Sequence, residues 1–368
     1  MEVPTQNQYV RYDDSLEVKQ PGEDKVFDEI AAAMRHISET MHDRARHAAR
    51  AVHAKSHGLL KGELEVYDGL PEPLSQGLFR RSASYPVIMR FSTNPGDMLP
   101  DSISTPRGLA VKVIGIQGER MLPGHEKEVT QDFVFVNAKA FPVPDAAGFL
   151  KQLRVLEKHA TDSETLKQAV STTARVAESA LEAVGLKSAT LKGFGHPQTH
   201  ILGETYCSVA ALRYEDYVAK ICIAPASENL KALLNKHLEI GDNYSALRDA
   251  VVEFFGTNTA EWEVRVQLCT DVKKMPIEDA SVEWDEKQSP YVPVARITVK
   301  PQHAYSPERR VCVDEVMSFS PWHGLTAHRP LGNVMRARKK SYEGSSRFRH
   351  TMNVRPAVEP KSVTEIPD

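Results

Sequence analysis

The chain has few cysteines, no long apolar run and almost no excess charge. Its four cysteines, Cys207, Cys222, Cys269 and Cys312, form no C-x-x-C pair. Each lies in an apolar or β-like run such as Tyr206-Cys207-Ser208-Val209, which predicts buried reduced thiols rather than zinc or redox chemistry. No stretch reaches the ~18 uncharged apolar residues that a membrane span requires. The N-terminal residues have neither the basic start nor the apolar run of a secretory signal, and the C-terminal residues Glu-Ile-Pro-Asp are not a peroxisomal tripeptide. With 46 basic against 49 acidic side chains the formal net charge is −3, so neither nucleic acid nor an anionic membrane is expected as the main partner. G-x-G-x-x-G and Walker-type loops, repeats and low-complexity tracts are also missing. These absences predict a soluble cytoplasmic protein.

What is present is ordinary globular composition, 41% hydrophobic and 26% charged, in a chain of 368 residues, long enough for one large domain or two ordinary ones. From Asp24 to about Arg50, Phe27, Ile30, Met34, Ile37 and Met41 recur at helical spacing. Eight β-like segments follow: Leu59–Tyr67, Tyr85–Thr93, Gly108–Ile116, Asp132–Asn137, Thr205–Leu212, Tyr217–Ile223, Trp262–Cys269 and Val294–Val299. A helical stretch from about Asp162 to Ala189 interrupts them. Short connections between the early strands predict an antiparallel barrel or sandwich rather than βαβ units. After Phe319 the chain turns basic, with Arg329, Arg336, Arg338, Lys339, Lys340, Arg347 and Arg349, either a solvated surface or an anion site.

Three separated blocks together resemble the haem catalase family. The first is Arg50-Ala51-Val52-His53-Ala54-Lys55, running into the strand after Gly58. The second is Arg90-Phe91-Ser92-Thr93, then Asp101, then Pro106-Arg107-Gly108-Leu109-Ala110-Val111-Lys112. The third is Arg338-Lys339-Lys340-Ser341-Tyr342, followed by Arg347-Phe348-Arg349. The resemblance spans about 300 residues, with none claimed for 155–200. Only 26 residues follow Tyr342, too few for the helical domain of larger catalases, so it is the small catalase-like haem proteins that this chain resembles. The implied fold is α+β, an eight-stranded antiparallel catalase-like barrel with surrounding helices. Its expected divisions are an N-terminal arm and helix over 1–52, a barrel over 53–312, and a proximal segment and tail over 313–368.

The resemblance also assigns roles. Tyr342 would ligate the iron of haem b; a phenol binds iron well as phenolate, and Arg338, one helical turn earlier, would favour that form. His53 would be the distal acid–base, with Ser92 orienting its ring by a hydrogen bond. Asn137 would orient the peroxide, with Thr130 or Gln131 as alternatives. Arg50, Arg90 and Arg349 would hold the haem propionates, Val52 would flank the distal histidine, and Phe141 or Phe149 would stack on the macrocycle. Gly108 would serve close packing. Two positions depart from the family pattern: Glu204 stands where larger catalases carry a proximal histidine, and Gly332 stands where an acidic residue precedes the tyrosine by ten.

The implied activity is catalase or peroxidase turnover of hydrogen peroxide or organic hydroperoxides through a ferryl intermediate. Related allene oxide synthases, which rearrange fatty-acid hydroperoxides, carry Thr before the distal histidine, where this chain has Val52. A haem carrier or sensor is the remaining alternative, and would not need His53 or Ser92. A small-molecule peroxide is the expected partner, with homo-oligomerisation left open.

Overall fold

In a computed structural model the described residues are 9–158 and 197–368, so the helix expected between Asp162 and Ala189 lies outside them. Nine strands are described: β1 (Lys55–Val66), β2 (Ser84–Thr93), β3 (Arg107–Ile114), β4 (Thr130–Val136), β5 (Tyr206–Cys207), β6 (Leu212–Tyr214), β7 (Tyr217–Pro225), β8 (Ala260–Leu268) and β9 (Val292–Val299). Their order is β5-β4-β3-β2-β1-β9-β8-β7-β6, every pairing is antiparallel, and a β5–β7 pairing closes the ring. Eight strands therefore form a closed barrel, with β6 left as a hairpin extension of β7. Closure leaves no sheet edge within the ring.

Alternation along the strands decides what the barrel encloses. Val87, Met89 and Phe91 of β2, Leu109, Val111 and Val113 of β3, and Phe133 and Phe135 of β4 join one apolar core with Trp262, Val264 and Ile297. The intervening Ile88, Ala110 and Ile114 belong to a second cluster with Val313, Met317 and Phe319. The period of two places Arg90, Ser92, Gly108, Lys112 and Asp132 on that same outer face. Register then makes Ser92 the direct partner of Gly108, and Lys112 that of Asp132.

Among the described residues four longer helices surround the barrel: α1 (Glu23–Ala45), α2 (Ala146–Lys158), α3 (Ala246–Phe255) and α4 (Asn333–Met352). Phe27, Ile30, Met34, Ile37 and Met41 of α1 are buried against Ala146, Leu150 and Leu153 of α2 and Ala337 of α4, as their spacing predicts. A single turn, Pro307–Arg310, runs into a π-helical segment, Val311–Val316. Residues 353–368 form no further long helix.

Several expectations need correction. The first helix ends at Ala45, five residues short of Arg50, where Arg46 takes a left-handed conformation. The segment Thr205–Leu212 is split into β5 and β6, because Val209 has a φ of 54° and the Ser208 hydroxyl donates to the Ala210 carbonyl. The four cysteines are not all reduced: Cys207 and Cys222 form a disulfide between directly opposed positions of β5 and β7, at the seam that closes the barrel. Cys269 is a buried free thiol and Cys312 a half-buried one.

Burial also keeps several histidines neutral. His328 is pushed down to about 3 by burial alone, among Phe79, Phe133 and Tyr214. His200 is pushed to about 4 by burial and by Arg107 and Lys236, and burial beside Lys55 holds His57 well below the usual range. Each gains a proton near 6.5 once the chain unfolds. Below about pH 6.5 the unfolded chain therefore binds more protons, so stability that is complete above that pH is lost as it falls. Tm should stay level from about pH 8 to about 6.5 and then drop steadily toward about 4.5. A Tm unchanged down to about 4.5 would contradict the buried neutral state.

Candidate active site

The outer face of β2, β3 and β4 forms one wall of a cavity of about 500 Å³, and α4 forms another. His53, Val52, Arg50, Arg90, Ser92, Gly108, Tyr342 and Arg349 all line it. The structure thus brings together residues from all three sequence blocks, including both termini of a separation of 299 positions from Arg50 to Arg349 (349 − 50).

His53 lies between α1 and β1 in a left-handed conformation, with a φ of 53°. That strained backbone is held by Arg90, whose guanidinium donates to the His53 carbonyl at 2.9 Å and the Ala54 carbonyl at 3.2 Å. The ring lies against Gly108: a Cβ there would come within 2.7 Å of Nδ1, so only glycine leaves room for the imidazole. The expected Ser92–His53 hydrogen bond is not formed. The Ser92 hydroxyl donates to the Gly108 carbonyl at 3.4 Å, and the buried His53 Nδ1 has no partner. Burial first, then Arg90 and Arg338, pushes His53 down to about 3, so the ring is neutral near pH 7.

Three guanidinium groups converge beside it. Arg90 Nε donates to Asp314 Oδ1 at 2.6 Å, and Ser56 donates to the other carboxylate oxygen at 2.5 Å. Arg50 donates to the Val313 and Met317 carbonyls at 2.9 and 3.1 Å, while its buried Nε has no partner. Arg349 donates to the Met317 carbonyl at 3.0 Å and the Ser318 hydroxyl at 3.1 Å. Burial, then mutual repulsion, holds Arg50 well below its ordinary range; Arg349 is pushed down to about 10 by burial and Arg90. Asp314 stays ionised because Arg90, Arg50 and the Ser56 bond outweigh its burial. Glu315 is already paired with Arg310 and Arg355. Three cations beside the single Asp314 carboxylate leave a positive surplus, and the unpartnered Arg50 Nε points to an anionic group as its complement.

Tyr342 enters from α4, and Arg338 donates to its hydroxyl at 2.6 Å across one helical turn. The acid missing at Gly332 could not be accommodated there: Gly332 has a φ of 88°, and a side chain would run into the Ile277 carbonyl. Its carboxylates come from elsewhere and bind a different arginine. Arg336 meets Glu17 and Glu278 at 2.9 Å each and Glu23 at 2.8 Å, and they raise it above its usual range despite its burial. Sequence reading missed this cluster because its acids lie up to 319 positions away (336 − 17).

Other expected residues lie outside the cavity lining. Asn137 donates to Glu204 and accepts from the Arg107 backbone N–H at 2.9 Å, while Glu204 also pairs with the Arg107 guanidinium. Of the alternatives, Gln131 is fully engaged with the Asp132 and Leu325 backbones, and Thr130 bonds His323 and Glu359. Phe141 packs on Phe149 at 5.5 Å between ring centres and against Ala210, Ala280, Val334 and Met335. His125, Glu128 and His323 do line the cavity, although no motif marked them.

A closed antiparallel barrel with helices around it, and a half-buried tyrosine and a neutral histidine lining one cavity, defines a narrow class of protein. The chain matches the family model described as Catalase over residues 9–359, and it belongs to that family. Among solved structures it is similar to catalase A from Saccharomyces cerevisiae, with a TM-score of 0.60 and 18% identity over 86% of this chain and 65% of that one. A fungal catalase gives a TM-score of 0.58 at 18% identity over 85% and 61%, and a bacterial catalase 0.57 at 18% over 85% and 60%. The chain thus spans less than two thirds of the length of these structures. No curated protein sequence matches it.

The Arg336 cluster ties α4, and with it Tyr342, to the N-terminal arm. Arg336→Met should destabilise the protein by about 3–5 kcal/mol in denaturant unfolding, because it leaves Glu23 and Glu278 without their cation and Glu17 with Arg329 alone. A loss below about 1 kcal/mol would show that the cluster is solvated and weak.

Proposed function

We propose that this protein is a haem-dependent oxidoreductase that consumes hydrogen peroxide or an organic hydroperoxide, as catalase or as peroxidase, with haem b as its cofactor. The observation that carries the reading is the convergence of His53, Tyr342, Arg50, Arg90 and Arg349 on one cavity in a chain of the catalase family. The residues present fit the group. The positive surplus and the unpartnered Arg50 Nε suit two propionates, and glycine at 108 leaves the histidine ring its place.

When bound, haem supplies the redox chemistry that accepts oxygen from peroxide. Tyr342 would hold it through the phenol oxygen, with Arg338 stabilising the anionic form from 2.6 Å. Arg50, Arg90 and Arg349 would fix its orientation by charge-assisted hydrogen bonds. His53 would take the proton from one peroxide oxygen at Nε2 and return it to the other. Its low pKa keeps that nitrogen free to accept, and its buried Nδ1 faces Gly108 and Ser92. Val52 lines the cavity beside it and offers no hydroxyl to compete for the substrate.

Tyr342→Phe should lose most bound haem, because it removes the ligand atom and leaves the aromatic packing. The Soret absorbance per chain of wild type and variant decides this, and an unaltered ferric spectrum would move the ligand to another residue.

His53→Ala should keep haem content near normal while oxygen release or donor oxidation per haem falls ~10²–10⁴-fold. Equal rates per haem, with hydrogen peroxide and with a lipid hydroperoxide, would remove His53 from the chemistry. A purely structural histidine would show the reverse, with lost haem or lost stability at unchanged turnover.

A further inference from the structure

His125, Glu128 and His323 stand on the cavity wall with no part in the chemistry above. One ligand atom from each lies within 4.8 Å of the others. His323 Nδ1 is 3.3 Å from Glu128 Oε2, and His125 Nδ1 donates to the same oxygen at 2.5 Å, a proton that a bound ion would displace. Tetrahedral zinc with bonds of about 2.0–2.1 Å separates its ligand atoms by roughly 3.3 Å, so His323 and Glu128 already have that spacing. His125, on a half-exposed loop, lies closer to that oxygen than two ligands of one ion and has to shift to share it.

The hydrogen bonds around His323 show why a cation belongs there. Its Nε2 lies 2.7 Å from the Thr130 hydroxyl, and that hydroxyl donates its one proton to Glu359 at 3.1 Å. Thr130 can therefore only accept from His323, so Nε2 carries the hydrogen and Nδ1 presents a lone pair. Arg120, 3.5 Å from Nε2, donates to the Thr130 carbonyl instead. A neutral His323 thus turns a lone pair toward a carboxylate oxygen 3.3 Å away, two acceptors with no proton between them. The surrounding charges are Lys112 and Arg120 against Glu128, Glu359 and an Asp132 that burial raises to about 7.

We infer that His125, Glu128 and His323 bind a divalent transition ion of the zinc type, one per chain, through two imidazole nitrogens and one carboxylate oxygen. Three protein ligands leave a fourth position, and because all three residues line the cavity, that position opens into it for water or an anionic oxygen donor. Thr130 acts as the outer partner that fixes the His323 tautomer. The inference does not depend on the haem reading.

The test uses tag-free full-length protein, stripped with a chelator and titrated with Zn²⁺ alone. Metal retained after dialysis and heat of binding should both give one zinc per chain. Zinc K-edge absorption, which iron does not disturb, should show low-Z nitrogen and oxygen neighbours at about 2.0–2.1 Å. His125→Ala and Glu128→Gln change partly exposed side chains and should each weaken binding at least tenfold at unchanged helical signal. Haem content measured on the same samples should not move, so a failed haem reading and a failed zinc site give different results. Equal zinc retention in both variants, or no stoichiometric binding by the wild type, would overturn the assignment.

Discussion

Arg90 leaves β2 and joins segments that are far apart in the chain. Its guanidinium pairs with Asp314 of the π-helical segment and donates to the carbonyls of His53 and Ala54 at the entry to β1. It is buried, with Asp314 nearly so. A pair of this kind offsets its own desolvation only when every donor and acceptor finds a partner, and removing one member costs about 3–5 kcal/mol. The π-helical turn is what presents Asp314 there, and Arg50 adds its own bonds to the carbonyls of Val313 and Met317. The left-handed backbone of His53 is tolerated because Arg90 holds the carbonyl on its far side. Without that clamp the histidine has no reason to stay over Gly108.

The opposite side of the cavity is held by a separate device. Tyr342 projects from α4, whose first turn is fastened by Arg336 to Glu17, Glu23 and Glu278, and whose Asn333 side chain donates to Glu23 at 2.8 Å. α1 packs along the same helix through Phe27, Met34 and Ile37. The histidine therefore depends on the barrel and the tyrosine on the helical layer. The two are joined beside the cavity by the Ala51 N–H, which donates to Ser345 of α4 at 3.2 Å, and by Arg50 and Arg349, which both donate to the Met317 carbonyl.

Much of this was legible in the sequence, and the physical reason is periodicity. The alternation in Val87–Ser92 and Gly108–Val113 fixes which side chains enter the barrel, so Arg90, Ser92 and Gly108 fall on one outer face before any coordinate is known. Helical spacing does the same for Arg338 and Tyr342. What stayed hidden depends on long-range register. The Cys207–Cys222 bond needs β5 to lie opposite β7, and nothing local announces a two-residue strand. The acids of Arg336 come from the N-terminal arm and a distant loop. Asn137, an amide flanked by β-like residues, gives no local sign of Glu204, which engages it together with Arg107. His125 and Glu128 lie on a loop and His323 almost two hundred positions on, so their meeting is a property of the fold alone.

The charges that make the cavity an anion site also set the protonation of His53. Burial is the larger influence on its ring and Arg90 the next, so the two requirements of the proposed chemistry come from one arrangement. An anionic group bound between Arg50, Arg90 and Arg349 would screen the guanidinium contribution and let the histidine rise from about 3. The burial contribution would remain, because closing the cavity around a ligand excludes more water rather than less. The imidazole thus stays neutral at pH 7 with or without the anion, while its proton affinity rises as the arginines are neutralised. Its lone pair is kept available by the low-dielectric wall of Gly108, Val52 and Ala110, while the arginines are left to orient what binds.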